Sequence, residues 1–152
     1  MHALDDTDLR LLDALALDPK ATVVSLAQQL GISRNTVQAR TVRLEKHGAF
    51  LPFERRVNPA ALGYPLTSFV HIHVQQRLLG EIVEALADIP EVVEAHGLTG
   101  SADILARVVA RGAEDLFRVN GTILDIDGVE RADTSLSMAE LIPHRIRPLL
   151  AT

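Results

Sequence analysis

The chain has 152 residues, of which 47% are apolar, and a formal net charge of −5. This length can bury one good core or two small ones, and no run approaches the roughly 18 apolar residues that a membrane span needs. The absence of cysteine excludes disulfides and thiol chemistry. The start of the chain has no basic segment followed by an apolar one, as a secretory signal would, so we expect a cytoplasmic protein.

The charge is unevenly spread along the sequence. Residues 1–27 hold five acidic and two basic groups, whereas residues 28–56 hold six basic and two acidic groups, which gives this middle segment a charge of +4. A basic patch on an acidic protein can steer a polyanion to one face. The alternative is an ordinary solvated helix face.

The first predicted helix covers the segment DTDLRLLDALAL. Helical spacing places Leu9, Leu12 and Ala16 on one apolar stripe. Asp6 or Thr7 is the expected N-cap, since a short oxygen-bearing side chain there can accept a free backbone N–H.

Two further helices are predicted in the segment TVVSLAQQLGISRNTVQARTVRLEK. Gly31 ends the first as a C-cap glycine would, and Ser33 caps the second. In the second helix, Val37, Thr41 and Leu44 recur at helical spacing and are expected to face inward.

A strand pair and a connector are predicted after these helices. The segment AFLPFERRVN has the pattern of two short strands, and NPAALGYP is a connector interrupted by prolines. We therefore assign residues 1–57 to a first domain, residues 58–66 to a linker and residues 67–152 to a second domain.

The second domain has the predicted order strand, helix, strand, strand, helix, strand. Its first strand alternates strictly, with Val70, Ile72 and Val74 on one face and Phe69, His71 and His73 on the other. The dipeptide Asn120-Gly121 is typical of hairpins, but the apolar residues around it fit helical spacing better. The order βαββαβ is that of a ferredoxin-like α+β domain. We expect its uncovered sheet face, with Phe69, Leu105 and Val109, to be buried by a partner subunit.

Two helices joined by a short glycine-containing turn, the second one basic, are typical of a helix-turn-helix that lays its second helix in the DNA major groove. A rotation of 100° per residue places the following side chains opposite the inward stripe: Asn35, Gln38, Ala39, Val42 and Lys46. Asn35 and Gln38 suit bidentate readout of adenine. Arg34 and Arg43, at the edges, suit guanine or phosphate.

Arg40 falls near the inward side of the same helix. It can contact a phosphate, or it can pair with an aspartate of the first helix such as Asp13, and the sequence does not decide between the two.

Several segments together resemble the Lrp/AsnC family of leucine-responsive, feast-or-famine transcription regulators. They are LDDTDLRLLDAL, LAQQLGISRNTVQARTVRLEKHG, RVNPAALG and TGSAD, and the resemblance covers nearly the whole chain. Thr41, Phe50 and Pro52 depart from residues common in the family, and Pro52 lies in the expected wing.

The resemblance implies a fold of class α+β, with an N-terminal winged helix-turn-helix and a C-terminal βαββαβ domain of the amino-acid-metabolism regulation type. It implies binding to double-stranded DNA, homodimers that often assemble into octamers, and a small effector, commonly an amino acid, bound between dimers. No cofactor, metal or membrane is implied. The expected DNA-binding residues are Ser33, Arg34, Asn35, Thr36, Gln38, Arg40, Arg43 and Lys46.

The effector site carried over from the family centres on Gly100, Ser101 and Asp103, with Thr99 and Ser135 as further candidates. An amino acid needs backbone N–H groups for its carboxylate and an acceptor for its ammonium group. Gly100 can supply the former and Asp103 the latter. Taken without the family, the same segment is more typical of a plain β-turn capped by Asp103 than of a binding site.

His71 and His73 share a face and suit metal binding, but no cysteine or carboxylate pattern accompanies them, which favours a dimer-interface role.

Two functions other than transcription regulation stay open. Some tetrapyrrole-modifying decarboxylases resemble the family across both domains, with histidines lining the second, and His96 would fit such a role. A ligand-binding oligomer without a DNA role is the third possibility. No Walker loop, GxGxxG or Ser/His/Asp arrangement supports catalysis, so we predict a transcription regulator that is not an enzyme.

Overall fold

The computed structural model describes residues 4–150. The chain divides into two compact units, one comprising the residues up to Arg55 together with those from Ile142 onward, the other comprising Arg56–Leu141. Among the described residues, no helix is long and apolar enough to cross a membrane.

The first unit is built on three helices: α1 (Asp6–Leu17), α2 (Val23–Leu30) and α3 (Arg34–Lys46). Thr22 and Ser33 cap α2 and α3 through their side-chain oxygens, and Gly31 takes a φ of 69° between them. Glycine adopts this left-handed conformation without steric cost because it has no Cβ. Gly31 can therefore end α2 and let the chain turn into α3 within a few residues. The core of the unit is formed by Leu11, Ala14, Leu26, Ala27, Leu30, Val37 and Leu44.

The expected N-cap and apolar stripe of α1 are wrong by about one residue. Asp5 is the N-cap, and it forms a reciprocal capping box with Asp8. Asp8, Leu11 and Ala14 are the buried residues of α1, whereas Ala16 is exposed. The helix is rotated because Asp8, a charged residue, faces inward to meet two arginines of α3.

The strand pair expected in AFLPFERRVN is also wrong, so the wing has no β-ladder in the described residues. The structure has 3-10 helices at Phe53–Arg56 and Pro59–Leu62 instead. Pro52 has no N–H to donate to a ladder, and its carbonyl accepts the N–H of Arg55 in a turn.

The second unit has the predicted order: β1 (Leu66–Val74), α4 (Leu79–Ala87), β2 (Val92–Gly97), β3 (Ile104–Ala110), α5 (Ala113–Leu124) and β4 (Val129–Leu136). The strands form one antiparallel sheet in the order β2-β3-β1-β4. Asn120-Gly121 lies inside α5, as the helical spacing predicted. The α+β prediction is therefore confirmed.

The two helices of this unit cover only one face of the sheet. Val70, Ile72 and Val74 of β1 are buried with Ile82 and Leu86 of α4 and with Val119 and Ile123 of α5. On the opposite face, Phe69 is 39% exposed and Leu105 is half-buried. Partly exposed apolar side chains are typical of a sheet face that a partner subunit covers. Val109 is the exception, because its own chain already buries it to 3%.

The residues from Ile142 onward cluster with the first unit, although the sequence assigned them to the second domain. One contact between this tail and the first unit is an ion pair, in which Arg147 Nε donates to Asp13 Oδ1 at 2.7 Å. Periodicity within the tail carries no signal for a partner so far away in the sequence.

The turn before β4 provides a test of the packing. Gly128 has a φ of 89°, and a Cβ there would lie 2.7 Å from Leu78 Cδ1 and 3.0 Å from Ile82 Cδ1. We expect Gly128→Ala to lower the free energy of unfolding by about 1–3 kcal/mol. Gly121→Ala is the matched control, since its Cβ would meet nothing within 4 Å in the middle of α5 and should stabilise by up to about 1 kcal/mol. Urea unfolding followed by circular dichroism measures both, and equal midpoints would contradict this packing.

Candidate DNA and effector sites

Helix α3 presents its polar side chains on the face opposite the core. Val37 and Leu44 are fully buried, and Thr41 is half-buried with its hydroxyl donating to the Val37 carbonyl at 2.9 Å. The exposed side is formed by Arg34, Asn35, Gln38, Ala39, Val42, Arg43, Glu45 and Lys46. The predicted inward and outward faces are therefore the faces observed.

The hydroxyl groups of Ser33 and Thr36 form hydrogen bonds within the first turn of α3. Ser33 Oγ accepts the N–H of Thr36 at 3.1 Å, and the two hydroxyl oxygens lie 2.8 Å apart. Both residues thus fix the entry of α3, and Thr36 is half-buried. Each hydroxyl retains capacity for a further hydrogen bond to an anion.

Two arginines of α3 are bound by aspartates of α1. Arg40 Nη1 lies 2.7 Å from both carboxylate oxygens of Asp5 and 2.9 Å from Asp8 Oδ1. Arg43 Nη2 contacts Asp8 Oδ2. The aspartate partner foreseen for Arg40 exists, but it is not Asp13, which pairs with Arg147.

The two carboxylates differ in burial, and both are held ionised. The side chain of Asp8 is 1% exposed, whereas that of Asp5 is 50% exposed. The hydrogen bond from Arg40, followed by that from the Asp8 N–H, lowers the pKa of Asp5 from 3.8 to about 2. Burial raises the pKa of Asp8, but hydrogen bonds from Arg40, the Asp5 N–H and Arg43 outweigh it and bring the pKa below its ordinary value.

A shallow concavity of about 410 Å³ opens on α3 next to this network. It is lined by Asn35, Thr36, Ala39, Arg40 and Arg43. The two arginines thus share one surface with the amide of Asn35, a hydrogen-bonding group suited to a base edge.

The expected effector loop lies between β2 and β3. Thr99, Gly100 and Ser101 are exposed, and Gly100 takes a φ of 123°. That backbone conformation is rare for residues with a side chain, which explains the glycine.

Asp103 joins this loop to β1. Its Oδ2 accepts the N–H of Val74 at 2.8 Å, and its Oδ1 accepts Gln76 Nε2 at 2.6 Å. Its own N–H donates to the Ile72 carbonyl at 3.0 Å, so it extends the β1–β3 ladder beyond the last paired residues. The carboxylate is therefore a cap, although each oxygen retains one further acceptor position.

Ser135 lies apart from the other effector candidates within one chain. It is paired with Phe69, three residues along β1 from Ile72, which Asp103 contacts, and this spacing is about 10 Å. The structure thus brings together Thr99, Gly100, Ser101 and Asp103 but not Ser135.

The histidines are dispersed among other partners. His73 Nε2 lies 3.0 Å from Arg131 Nη2 and 3.4 Å from Asp133 Oδ2, and His96 Nε2 lies 2.8 Å from Glu94 Oε1. Within residues 4–150, no group of three or more His, Asp or Glu side chains is arranged to hold a metal ion.

Sequence reasoning missed Asp5, Asp8 and Gln76 as members of these sites. The pair Asp5 and Asp8 had a local signal, because acids three residues apart at a helix start form a capping box. Their second role, pairing with arginines 32 and 35 residues away, leaves no trace in local spacing.

Three features occur together: a basic helix with a capped N-terminus, a tight turn before it, and a βαββαβ domain whose sheet is covered by helices on one face. This combination defines a DNA-binding regulator with a separate ligand-binding domain. Residues 4–45 match the AsnC-type helix-turn-helix domain, and residues 67–146 match the Lrp/AsnC ligand binding domain. The chain belongs to the Lrp/AsnC family of transcription regulators, as its sequence motifs predicted.

Individual relatives match most of the chain. The HTH-type transcriptional regulator FL11 of Pyrococcus furiosus is 30% identical over 133 residues, 88% of each chain. The solved structure of AsnC from E. coli has a TM-score of 0.87 at 26% identity and covers 97% of this chain and all of that one. The feast-or-famine regulatory protein of M. tuberculosis, solved in complex with L-methionine, has a TM-score of 0.83 at 30% identity and covers 95% and 98% of the two chains. The regulator names of these relatives do not favour the decarboxylase alternative.

The lowered pKa values lead to a prediction about acid stability. A carboxylate whose pKa is lower in the folded state stabilises the fold above its unfolded pKa, and this contribution is lost as the pH falls through the folded pKa. We expect the stability of the first unit to fall between about pH 3.8 and pH 2, partly through Asp5. Asp5→Asn retains an N-cap and should flatten this dependence in thermal melts at a series of pH values. An unchanged pH profile in the variant would show that Asp5 is not held by Arg40 in solution.

Proposed function

We propose that α3 reads DNA sequence through Asn35 and Gln38, and that an amino-acid effector bound at the 99–103 loop changes the DNA affinity or the assembly of the protein. The observation that carries the DNA role is the exposed amide pair of Asn35 and Gln38 on a basic helix whose opposite side is buried. The bidentate geometry of such amides suits the N6 and N7 atoms of adenine.

The cations of α3 have different proposed tasks. Arg34 and Lys46 are exposed at the two ends of the helix, where phosphates that flank a major groove would lie. Arg43 is about half exposed and is available to a phosphate or a guanine from the rim. Ser33 and Thr36 bring hydroxyls to the N-terminus of α3, a favourable place for a phosphate. Arg40, at 23% exposure, is less accessible than Arg43 and is the weaker candidate for a DNA contact.

The effector class rests on a relative together with the chemistry of the loop. The M. tuberculosis protein that is 30% identical was solved with L-methionine. In the present chain, the loop offers the exposed backbone of Gly100 and Ser101 beside the carboxylate of Asp103, a pair of groups suited to the carboxylate and ammonium of an amino acid. Thr99 is adjacent, and Ser135 can contribute only across subunits.

Assembly is the third part of the proposal. The uncovered sheet face carries Phe69 and Leu105 beside polar groups, and a two-fold partner would bury it. A dimer would also supply two copies of α3 for two DNA half-sites. We include assembly of such dimers into octamers, and a cytoplasmic location beside the chromosome, in the proposal.

The DNA role predicts position-specific losses. Asn35→Ala or Gln38→Ala should cost about 1–3 kcal/mol at one base position of an imperfectly palindromic operator. Lys46→Gln, on the same helix, should weaken all sequences alike and flatten the salt dependence. Binding to a set of singly substituted operators measures both effects. Unchanged specificity in both amide variants would mean that another face of α3 meets the bases.

The effector role predicts that Asp103→Ala abolishes the response to the effector while DNA binding without effector persists, because the loop and α3 lie in different units. Calorimetric titration of a panel of amino acids into both proteins, beside operator binding, tests this. Gln76→Ala is the control, since it removes the side-chain partner of Asp103 Oδ1 and leaves the charge of Asp103 in place. An unchanged effector affinity in Asp103→Ala would leave Asp103 as a turn cap only.

The assembly proposal predicts a dimer or a larger oligomer at micromolar concentration. Phe69→Arg places a charge on the uncovered face without touching the buried residues of β1, and it should shift the protein toward monomer. Light scattering coupled to gel filtration measures the mass. A monomeric wild-type protein would contradict the proposal.

A further inference from the structure

The proposed reading of DNA by α3 makes no use of Asp5 and Asp8, although these acids contact two of its arginines. A carboxylate beside a DNA-binding surface repels phosphate and occupies cations that would otherwise bind it. The arrangement therefore needs an explanation beyond helix capping.

The two acids hold the arginines unequally. A single nitrogen of Arg40 contacts three carboxylate oxygens within 2.9 Å, whereas Arg43 has one close carboxylate, with Asp5 Oδ2 3.8 Å away. The side chain of Arg40 is 23% exposed, and that of Arg43 is 48% exposed. Arg43 is thus anchored through one nitrogen with about half of its side chain exposed, while Arg40 is enclosed by two negative charges.

The acids themselves differ in how easily they can be displaced. Asp8 is 1% exposed, and its contacts with the arginines are costly to break because a buried charge would be left unpaired. Asp5 is 50% exposed, so water and counterions can replace Arg40 as the partner of its carboxylate at little cost. The concavity lined by Arg40, Arg43 and Asn35 lies beside this displaceable contact.

We propose that Asp8 is a positioning residue that aims Arg43 at the DNA backbone, and that Asp5 competes with DNA phosphate for Arg40 and thereby limits sequence-independent binding. The proposal rests on the DNA role of α3. In the DNA-bound protein, Arg40 then stays paired with Asp5 and Asp8, and Arg43 is the residue that contacts phosphate. Low non-specific affinity increases the specificity ratio, which decides occupancy among many competing genomic sites.

The test uses the slope of log affinity against log salt concentration for a mixed-sequence duplex, which changes by about 0.9 for each phosphate neutralised. Asp5→Asn should leave Arg40 held by Asp8 alone, with one negative charge fewer to repel a phosphate, and should steepen the slope by up to about 0.9, so that non-specific affinity rises most at low salt. Asp6→Asn is the matched control, because it makes the same charge change on the same exposed turn of α1 and should leave the slope unchanged. Asparagine also caps helices well, so Asp5→Asn should remain folded.

Two arginine variants complete the experiment. Arg43→Gln should flatten the wild-type slope by about 0.9, whereas Arg40→Gln should leave it unchanged and should cancel the effect of Asp5→Asn in the double variant. Equal slopes for Asp5→Asn and Asp6→Asn, or an equal loss of slope from Arg40→Gln and Arg43→Gln, would overturn the proposal. Absence of salt-dependent DNA binding by the wild-type protein would contradict the DNA role itself, and the proposal with it.

Discussion

The buried carboxylate of Asp8 constrains the whole DNA-binding unit. Burying a charge costs several kcal/mol unless it is paired and hydrogen-bonded, and the donors around Asp8 are Arg40, Arg43 and the N–H of Asp5. These requirements fix the rotation of α1, since Asp8 has to face α3. They also fix α3, since Val37 and Leu44 must enter the same core. The direction in which Asn35 and Gln38 point therefore depends on ion pairs along one edge of the same helix.

The second unit is organised by a different constraint, a sheet covered by helices on one side only. Strand β1 is central and pairs with both β3 and β4, so its buried residues hold α4 and α5 while its other face stays available. Asp103 extends the pairing of β1 at the end where the 99–103 loop, the proposed effector site, leaves the sheet. A ligand or subunit that contacts the loop would act directly on the end of the central strand. This connection gives the effector proposal a mechanical basis.

The sequence predicted those elements whose signals are local. Strict alternation in SFVHIHV, helical spacing around Asn120-Gly121 and the Gly31-Ser33 punctuation each correspond to the observed strand, helix and turn. The predicted strand pair near Pro52 was wrong because Pro52 has no N–H to donate to a ladder, and the few apolar residues of this short segment do not compensate. The predicted buried face of α1 was wrong because Asp8, a charged residue, is buried and paired with arginines. The Asp8 contacts and the Arg147–Asp13 pair are long-range, and no local pattern predicts them. The effector residues came only from family resemblance, since the loop alone is typical of an ordinary turn.

We propose that this chain selects DNA sequences under the control of an amino-acid effector. The most direct measurement is selection of bound fragments from the genomic DNA of the source organism, with and without a panel of amino acids, followed by sequencing. The account predicts enrichment of imperfect palindromes with half-sites a helical turn or a multiple apart, and a change in that enrichment with at least one amino acid. Recovery of fragments in proportion to their abundance, with every amino acid and with none, would contradict it.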